Sequence, residues 1–169
     1  MKESWFREKI LPLKDKLFRL ALRITLDRAE AEDVVQDTLL KMWERREEWA
    51  EIKSLEAFCM TICRNLALDR SKAAQNSNLR LNEEMDSPPD FCTPAEQLDS
   101  KMRLEALHQL IDNLPETQRC ILLLRDNEGK PYNEIAEILG LSESQVKVYL
   151  HRARQRLKEQ FARIEQHGL

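Results

Sequence analysis

The sequence predicts an all-α protein made of two small helical domains joined by a linker, and three observations carry that expectation. Apolar residues recur at three- and four-residue spacing along most of the chain, as in Leu13, Leu17, Leu20 and Ile24. Only three glycines occur in 169 residues, which suits amphipathic helices better than tightly turned sheets. A stretch at 76–97, NSNLRLNEEMDSPPDFCTPAEQ, holds three prolines and five acids against one base, and it interrupts the apolar pattern. The expected division is therefore 1–75 for the first domain, 76–97 for the linker and 98–169 for the second domain.

In the first domain, the pattern from Trp5 to Met42 breaks near Asp27 and predicts two helices, the second with Val34, Val35, Leu39 and Met42 inward. Asp27 suits its N-cap, and Glu30, Glu32 and Asp33 crowd the first turn, where the helix dipole favours negative charge. A third helix is expected to start at an N-cap Ser54 and bury Leu55, Phe58, Ile62 and Leu66, with Cys59 and Cys63 beside them, before fraying after Lys72.

In the second domain, Leu98, Met102, Leu107, Leu110 and Ile111 predict a helix that Leu114-Pro115 ends. Pro115 suits the first turn of the next helix, which points Ile121, Leu122 and Leu124 into the core. Pro131 to Lys158 then follows the layout of a helix-turn-helix: YNEIAEIL, a Gly140-Leu141 turn, and a helix capped by Ser142. Ala136 is small enough for a close crossing, and Gly140 can take the positive φ of the turn. Ile135, Leu139, Leu141, Val146 and Leu150 form the shared core of the pair.

The charge pattern of that last helix points to DNA. Ser144 to Lys158 contains Lys147, Arg152, Arg154, Arg156 and Lys158 and no acid. Ser144, Gln145, Lys147, Val148, His151 and Arg152 face away from the expected core, where arginine and lysine suit guanine edges and glutamine suits adenine. Arg154, Arg156 and Lys158 lie beyond the base-reading turns and suit phosphates. Net charge is −3 overall, with 15 bases against 14 acids in residues 1–75 and 11 against 11 in 98–169. Neither half has the cationic surface of a free-standing nucleic-acid binder.

Other function classes lose ground on what the chain contains. Its longest apolar runs are far short of the roughly 20 residues that cross a bilayer, so direct membrane insertion is not expected. Cys59, Cys63, Cys92 and Cys120 form no CxxC pair and His151 stands without a partner at ligand spacing, so no metal and no cofactor is expected. Four such cysteines fit reduced thiols in the cytoplasm. There is no phosphate-binding loop, nucleophile elbow or catalytic triad series, and no enzymatic activity is expected.

LPETQRCILLLRDNEGKPYNEIAEILGLSESQVKVYLHRARQRLKE resembles region 4 of the extracytoplasmic-function sigma factors of bacterial RNA polymerase, over nearly the whole second domain. AEDVVQDTLLKMWERREEW followed by SLEAFCMTICRNLALDRSKA is similar to region 2 of the same family, in the same order. The second match departs from the common family pattern, roughly WLYRIARN, with Phe58, Met60 and Thr61 in place of its tryptophan, tyrosine and arginine.

The resemblance implies an alternative sigma factor that binds core polymerase, recognises the minus-ten and minus-thirty-five promoter elements and promotes opening. It implies that Asp33, Gln36, Asp37, Leu40 and Lys41 meet the clamp helices of the β′ subunit, and that the second domain meets the β flap. It further implies capture of the single-stranded minus-ten element by the Trp49 to Ser54 loop and the third helix, through Trp49, Lys53, Ser54, Arg64, Asn65, Asp69, Arg70 and Lys72. Asn65 offers both a donor and an acceptor to a base edge. The acidic linker residues Glu83, Glu84, Asp86 and Asp90 match the connector that runs toward the polymerase active centre in that family. An anti-sigma partner is implied too, and a monomer when free. The rival reading is a stand-alone helix-turn-helix regulator, which would bind a palindromic operator as a dimer without polymerase.

Overall fold

The computed structural model describes residues 1–78 and 100–166. Every regular element among them is helical: α1 (Lys2–Lys9), α2 (Lys14–Thr25), α3 (Arg28–Glu44), α4 (Leu55–Asn78), α5 (Ser100–Asp112), α6 (Glu116–Leu122), α7 (Tyr132–Leu139) and α8 (Glu143–Gln166), with short 3₁₀ turns at Leu11–Leu13 and Arg46–Glu51.

The expected break near Asp27 is present and built from two local devices. Leu26 closes α2 in the left-handed region at φ 56°, its N–H donating to the Leu22 carbonyl. Asp27 then caps α3 by accepting from the Glu30 N–H at 3.1 Å. The preceding apolar run is divided once more than the periodicity predicts, because Pro12 lies in a 3₁₀ turn between α1 and α2.

Helices α2, α3 and α4 pack around Leu17, Leu20, Ile24, Val34, Val35, Met42 and Met60. The buried face of α4 differs from the expected one. Ala57, Cys59, Met60, Cys63 and Ala67 are buried, whereas Leu55, Phe58, Ile62 and Leu66 pack only partly. Helix α4 meets α2, α3 and α7, so small residues line its close crossings and the larger ones fill the flanks. Ser54 does cap this helix, accepting from Ala57 N–H at 3.2 Å. The helix passes Lys72 without ending and runs to Asn78, so positions 76–78 are helical rather than linker. The remaining linker positions, with Glu83, Glu84, Asp86, Asp90 and Cys92, lie outside the described residues, as does Leu98.

Cys59, Cys63 and Cys120 are free and buried. Burial pushes the Cys59 and Cys63 thiols up to about 12 and raises Cys120 as well.

In the second module, Pro115 is the N-cap of α6 rather than a first-turn residue. Leu114, Ile121, Leu124, Ile135, Ile138, Val146, Leu150 and Ala153 are buried together. Between α6 and α7 the chain makes a π turn at Leu123–Asn127, a feature with no signal in the apolar period. Gly140 sits at φ 67° between α7 and α8, and a Cβ there would meet nothing within 4 Å. The turn needs its glycine for the backbone angle, not for space. Buried side chains of the two modules form one continuous cluster, with α2 against α6 and α4 against α7.

Candidate nucleic-acid interface

Helix α8 divides by its period into two faces. Val146, Leu150 and Ala153 are buried, while Ser144, Gln145, Lys147, Val148, His151, Arg152, Arg154 and Arg156 are all exposed. Val148 is 46% exposed between cations, an apolar contact of the kind a thymine methyl takes. The helix starts with a reciprocal capping box: Ser142 Oγ accepts from Gln145 N–H at 3.1 Å, and Gln145 Oε1 accepts from Ser142 N–H at 3.0 Å. Gln145 thus spends its carbonyl on the cap, which removes half of the bidentate pattern that adenine requires.

Side chains that local spacing does not flag shape the same face. Tyr132, first residue of α7, carries Arg125 at 4.3 Å and Lys147 at 5.4 Å from its ring centre. Arg152 lies 6.0 Å from the Tyr149 ring. These stacks hold long cations in place without neutralising them. Arg154 is bound by Asp126 of the π turn at 2.5 Å. The first three cations keep their full charge for a polyanion, and Arg154 reaches it only by leaving Asp126.

The first module's expected residues separate into two groups. Lys53, Asn65, Asp69 and Lys72 are exposed, with Asn65 and Asp69 one turn apart on α4. Ser54, also exposed, has its hydroxyl engaged as the cap of α4.

Trp49, Arg64 and Arg70 do intramolecular work instead. Trp49 is 7% exposed, donates its indole N–H to the Met42 carbonyl at 2.9 Å and stacks on Trp5 at 4.3 Å. It is part of an aromatic cluster with Phe6 and Trp43, so its assignment to DNA is corrected to a core role. Arg64 turns toward the second module, with its Nε buried and its charge felt by the Cys120 thiol. Arg70 reaches back to α3, binding Glu30 at 3.0 Å, Asp37 at 3.0 Å and Asp33 at 3.4 Å. Hydrogen bonds from the Glu30 and Asp37 carboxylates raise its pKa further.

That last contact gathers part of the expected polymerase face. Asp33, Gln36, Leu40 and Lys41 are exposed and Asp37 is half-buried along one side of α3. Leu40 is 61% exposed, a large apolar side chain beside three carboxylates that share one guanidinium. An apolar knob in an acidic ring has the composition of a protein-docking surface. Among the described residues no group of acids, cysteines or histidines could hold a metal, and no helix is long and apolar enough to cross a membrane.

Two family matches fall on the two modules. Residues 10–77 match sigma-70 region 2, and residues 104–157 match sigma-70 region 4. The chain is 34% identical over 141 residues to the ECF RNA polymerase sigma factor SigL of Mycobacterium tuberculosis, covering 81% of this chain and 77% of SigL. The chain belongs to the extracytoplasmic-function sigma factors. This sigma factor is also 30% identical over 162 residues to SigE of Mycolicibacterium smegmatis, covering 95% of its own length and 62% of that relative. With YlaC of Bacillus subtilis it shares 28% identity over 160 residues, 93% of this sigma factor and 90% of YlaC. Among solved structures it resembles the sigma factor RpoE bound to the anti-sigma factor NepR from Bartonella quintana. The TM-score is 0.73 at 25% identity, over 95% of this chain and 98% of that one. A likeness in fold extends to CnrH in complex with the cytosolic domain of CnrY, at TM-score 0.68 and 20% identity, over 95% and 89% of the two chains. As an alternative sigma factor, the protein serves promoter recognition and transcription initiation, with a DNA-binding helix-turn-helix in region 4. Two matched modules in family order set aside the stand-alone regulator.

Proposed function

We propose that this sigma factor divides promoter recognition between its modules, with boundaries near 1–75 and 98–169. Helix α8 reads the minus-thirty-five duplex, with Lys147, Val148, His151 and Arg152 toward base edges, Ser144 and the amide nitrogen of Gln145 at the helix start, and Arg154 and Arg156 on phosphates. Asn65 takes an unpaired base of the minus-ten strand, with Lys53, Ser54, Asp69 and Lys72 around it. Arg64 and Arg70 join that surface only by leaving their present partners.

The observation that carries this reading is the clean division of α8 into a buried apolar face and an exposed, acid-free basic one. Asp33, Gln36, Asp37, Leu40 and Lys41 dock on the β′ clamp helices, and region 4 meets the β flap. Because it binds only the melted strand, the first module biases the duplex toward opening by its differential affinity. No hydrolysis by this chain is involved, and the protein is not an enzyme. It works in the cytoplasm, as a monomer when free, and an anti-sigma factor is its regulatory partner; two solved relatives were captured with partners of that kind.

Transcription of a genomic fragment library by bacterial core polymerase, with and without the purified chain, tests the proposal. New discrete start sites that require the chain are expected. Their absence, together with tight binding to a palindromic site without polymerase, would overturn it.

A further inference from the structure

Two charged side chains are buried among the described residues, Arg119 at 8% and Lys130 at 7% exposure, and both lie where the modules meet. Arg119, on α6, donates to the Arg23 carbonyl at 2.6 Å and the Ile24 carbonyl at 3.3 Å, at the end of α2. It also holds the Leu114 carbonyl at 2.6 Å and the Asp112 carbonyl at 3.3 Å in its own module. A helix C-terminus carries partial negative charge and carbonyls without intrahelical partners, so a guanidinium fits there. Lys130 reaches across to Glu56 of α4 at 2.6 Å, and Glu56 also binds Lys16 at 2.7 Å. At the rim, Arg19 pairs with Glu128 at 2.9 Å and Arg23 with Asp112 at 3.4 Å.

A seam held by buried ions differs from one held by oil. Desolvation offsets most of what such pairs gain, so they specify an arrangement without making it very stable, and parting returns every charge to water. The docked arrangement is also too small for the work proposed above. About 145 residues packed as one body have a diameter near 40 Å. The elements ten and thirty-five base pairs upstream are about 85 Å apart along straight duplex, at roughly 3.4 Å per pair. One compact body cannot hold both.

We propose that the docked arrangement is an autoinhibited resting state, latched by Arg119 on the end of α2 and by Lys130 on Glu56, which polymerase must open before the promoter is read. This rests on the sigma-factor function and adds a barrier within the chain, independent of any other protein.

The test uses the full chain with Glu56→Lys, which sets a cation against Lys130 and Lys16. A second variant, Asp112→Arg, repels Arg23 from the exposed rim and serves if the first fails to fold. X-ray scattering of the wild type should give a radius of gyration near the roughly 15 Å of a compact chain, rising above about 20 Å in a folded variant. If about a tenth of the wild type is open, the variants bind core polymerase roughly tenfold tighter. A wild type already as expanded as the variants overturns the proposal, as do folded variants that stay compact or that expand without binding core more tightly. Failure of the sigma reading would look different: wild type and variants alike would yield no new start sites, whatever their scattering.

Discussion

Helix α8 and helix α4 are both 24 residues long and both were expected to touch promoter DNA, yet they present themselves to solvent very differently. Beyond its first turns α8 lies at the edge of the molecule, and each of its expected contact residues is exposed. Helix α4 runs through the middle, between α2, α3 and α7, and the molecule itself has already claimed Arg64 and Arg70. A helix with one packed side leaves its functional face legible from periodicity, because everything off the apolar stripe is solvent. A helix packed on several sides mixes functional and structural polar residues, and periodicity cannot sort them.

The largest effect should come from the exposed helix. Replacing Lys147 and Arg152 together with alanine removes two major-groove contacts worth about 1–3 kcal/mol each. Recognition of the upstream element should fall by two orders of magnitude or more in a binding or start-site assay, with the thermal melt unchanged. An unaltered promoter preference would remove both from the reading set and erase the contrast with α4.

Next comes Asn65→Ala on the crowded helix. Loss of one base-specific partner costs on the order of 1–3 kcal/mol, so promoter opening followed by permanganate footprinting should weaken at least severalfold. Association with core polymerase should hold. If both fall together, Asn65 supports the fold rather than the strand.

Ser142→Ala removes the capping hydroxyl of α8 and should destabilise the second module by about 1 kcal/mol, read as a shift in the denaturant midpoint. It also frees Gln145 Oε1, so the variant should show a stronger preference for adenine opposite that position. No change in base preference would mean that Gln145 does not face the groove.

The smallest effect is on acidification. Burial opposes the charge on Glu56, but the Lys130 and Lys16 ammonium groups more than offset it and hold its carboxyl below the ordinary value. A carboxylate lowered in this way contributes at neutral pH, and its contribution is lost as the pH falls through the lowered value. Scattering of the wild type should therefore expand as Glu56 protonates, before its helical circular dichroism is lost. Unfolding and expansion at one midpoint would show that Glu56 does not govern the seam.

Local signals account for what was read correctly. The Asp27 and Ser54 caps, the Gly140 turn and the Val146, Leu150 and Ala153 stripe each follow from residues within a few positions of one another. The π turn, the aromatic stack of Trp5 on Trp49, the Arg70 fan and the Lys130–Glu56 pair join residues brought together only by the fold or by a backbone irregularity. Trp49 shows the cost most plainly. In sequence it sits in the loop that the family uses for strand capture, and nothing nearby announces that α1 will cover it. Lys130 is a cation next to a glycine and a proline, a setting that suggests exposure; only α4 explains its burial.

The three described cysteines have a consequence for signalling. Peroxides and alkylating agents attack thiolates, and a thiol held near 12 inside a packed core offers essentially none at neutral pH. Cys59, Cys63 and Cys120 therefore behave as small apolar side chains, chemically silent through an oxidative burst. Whatever stress brings this sigma factor into play is not sensed at those three sulfurs, and news of it must reach the chain from outside.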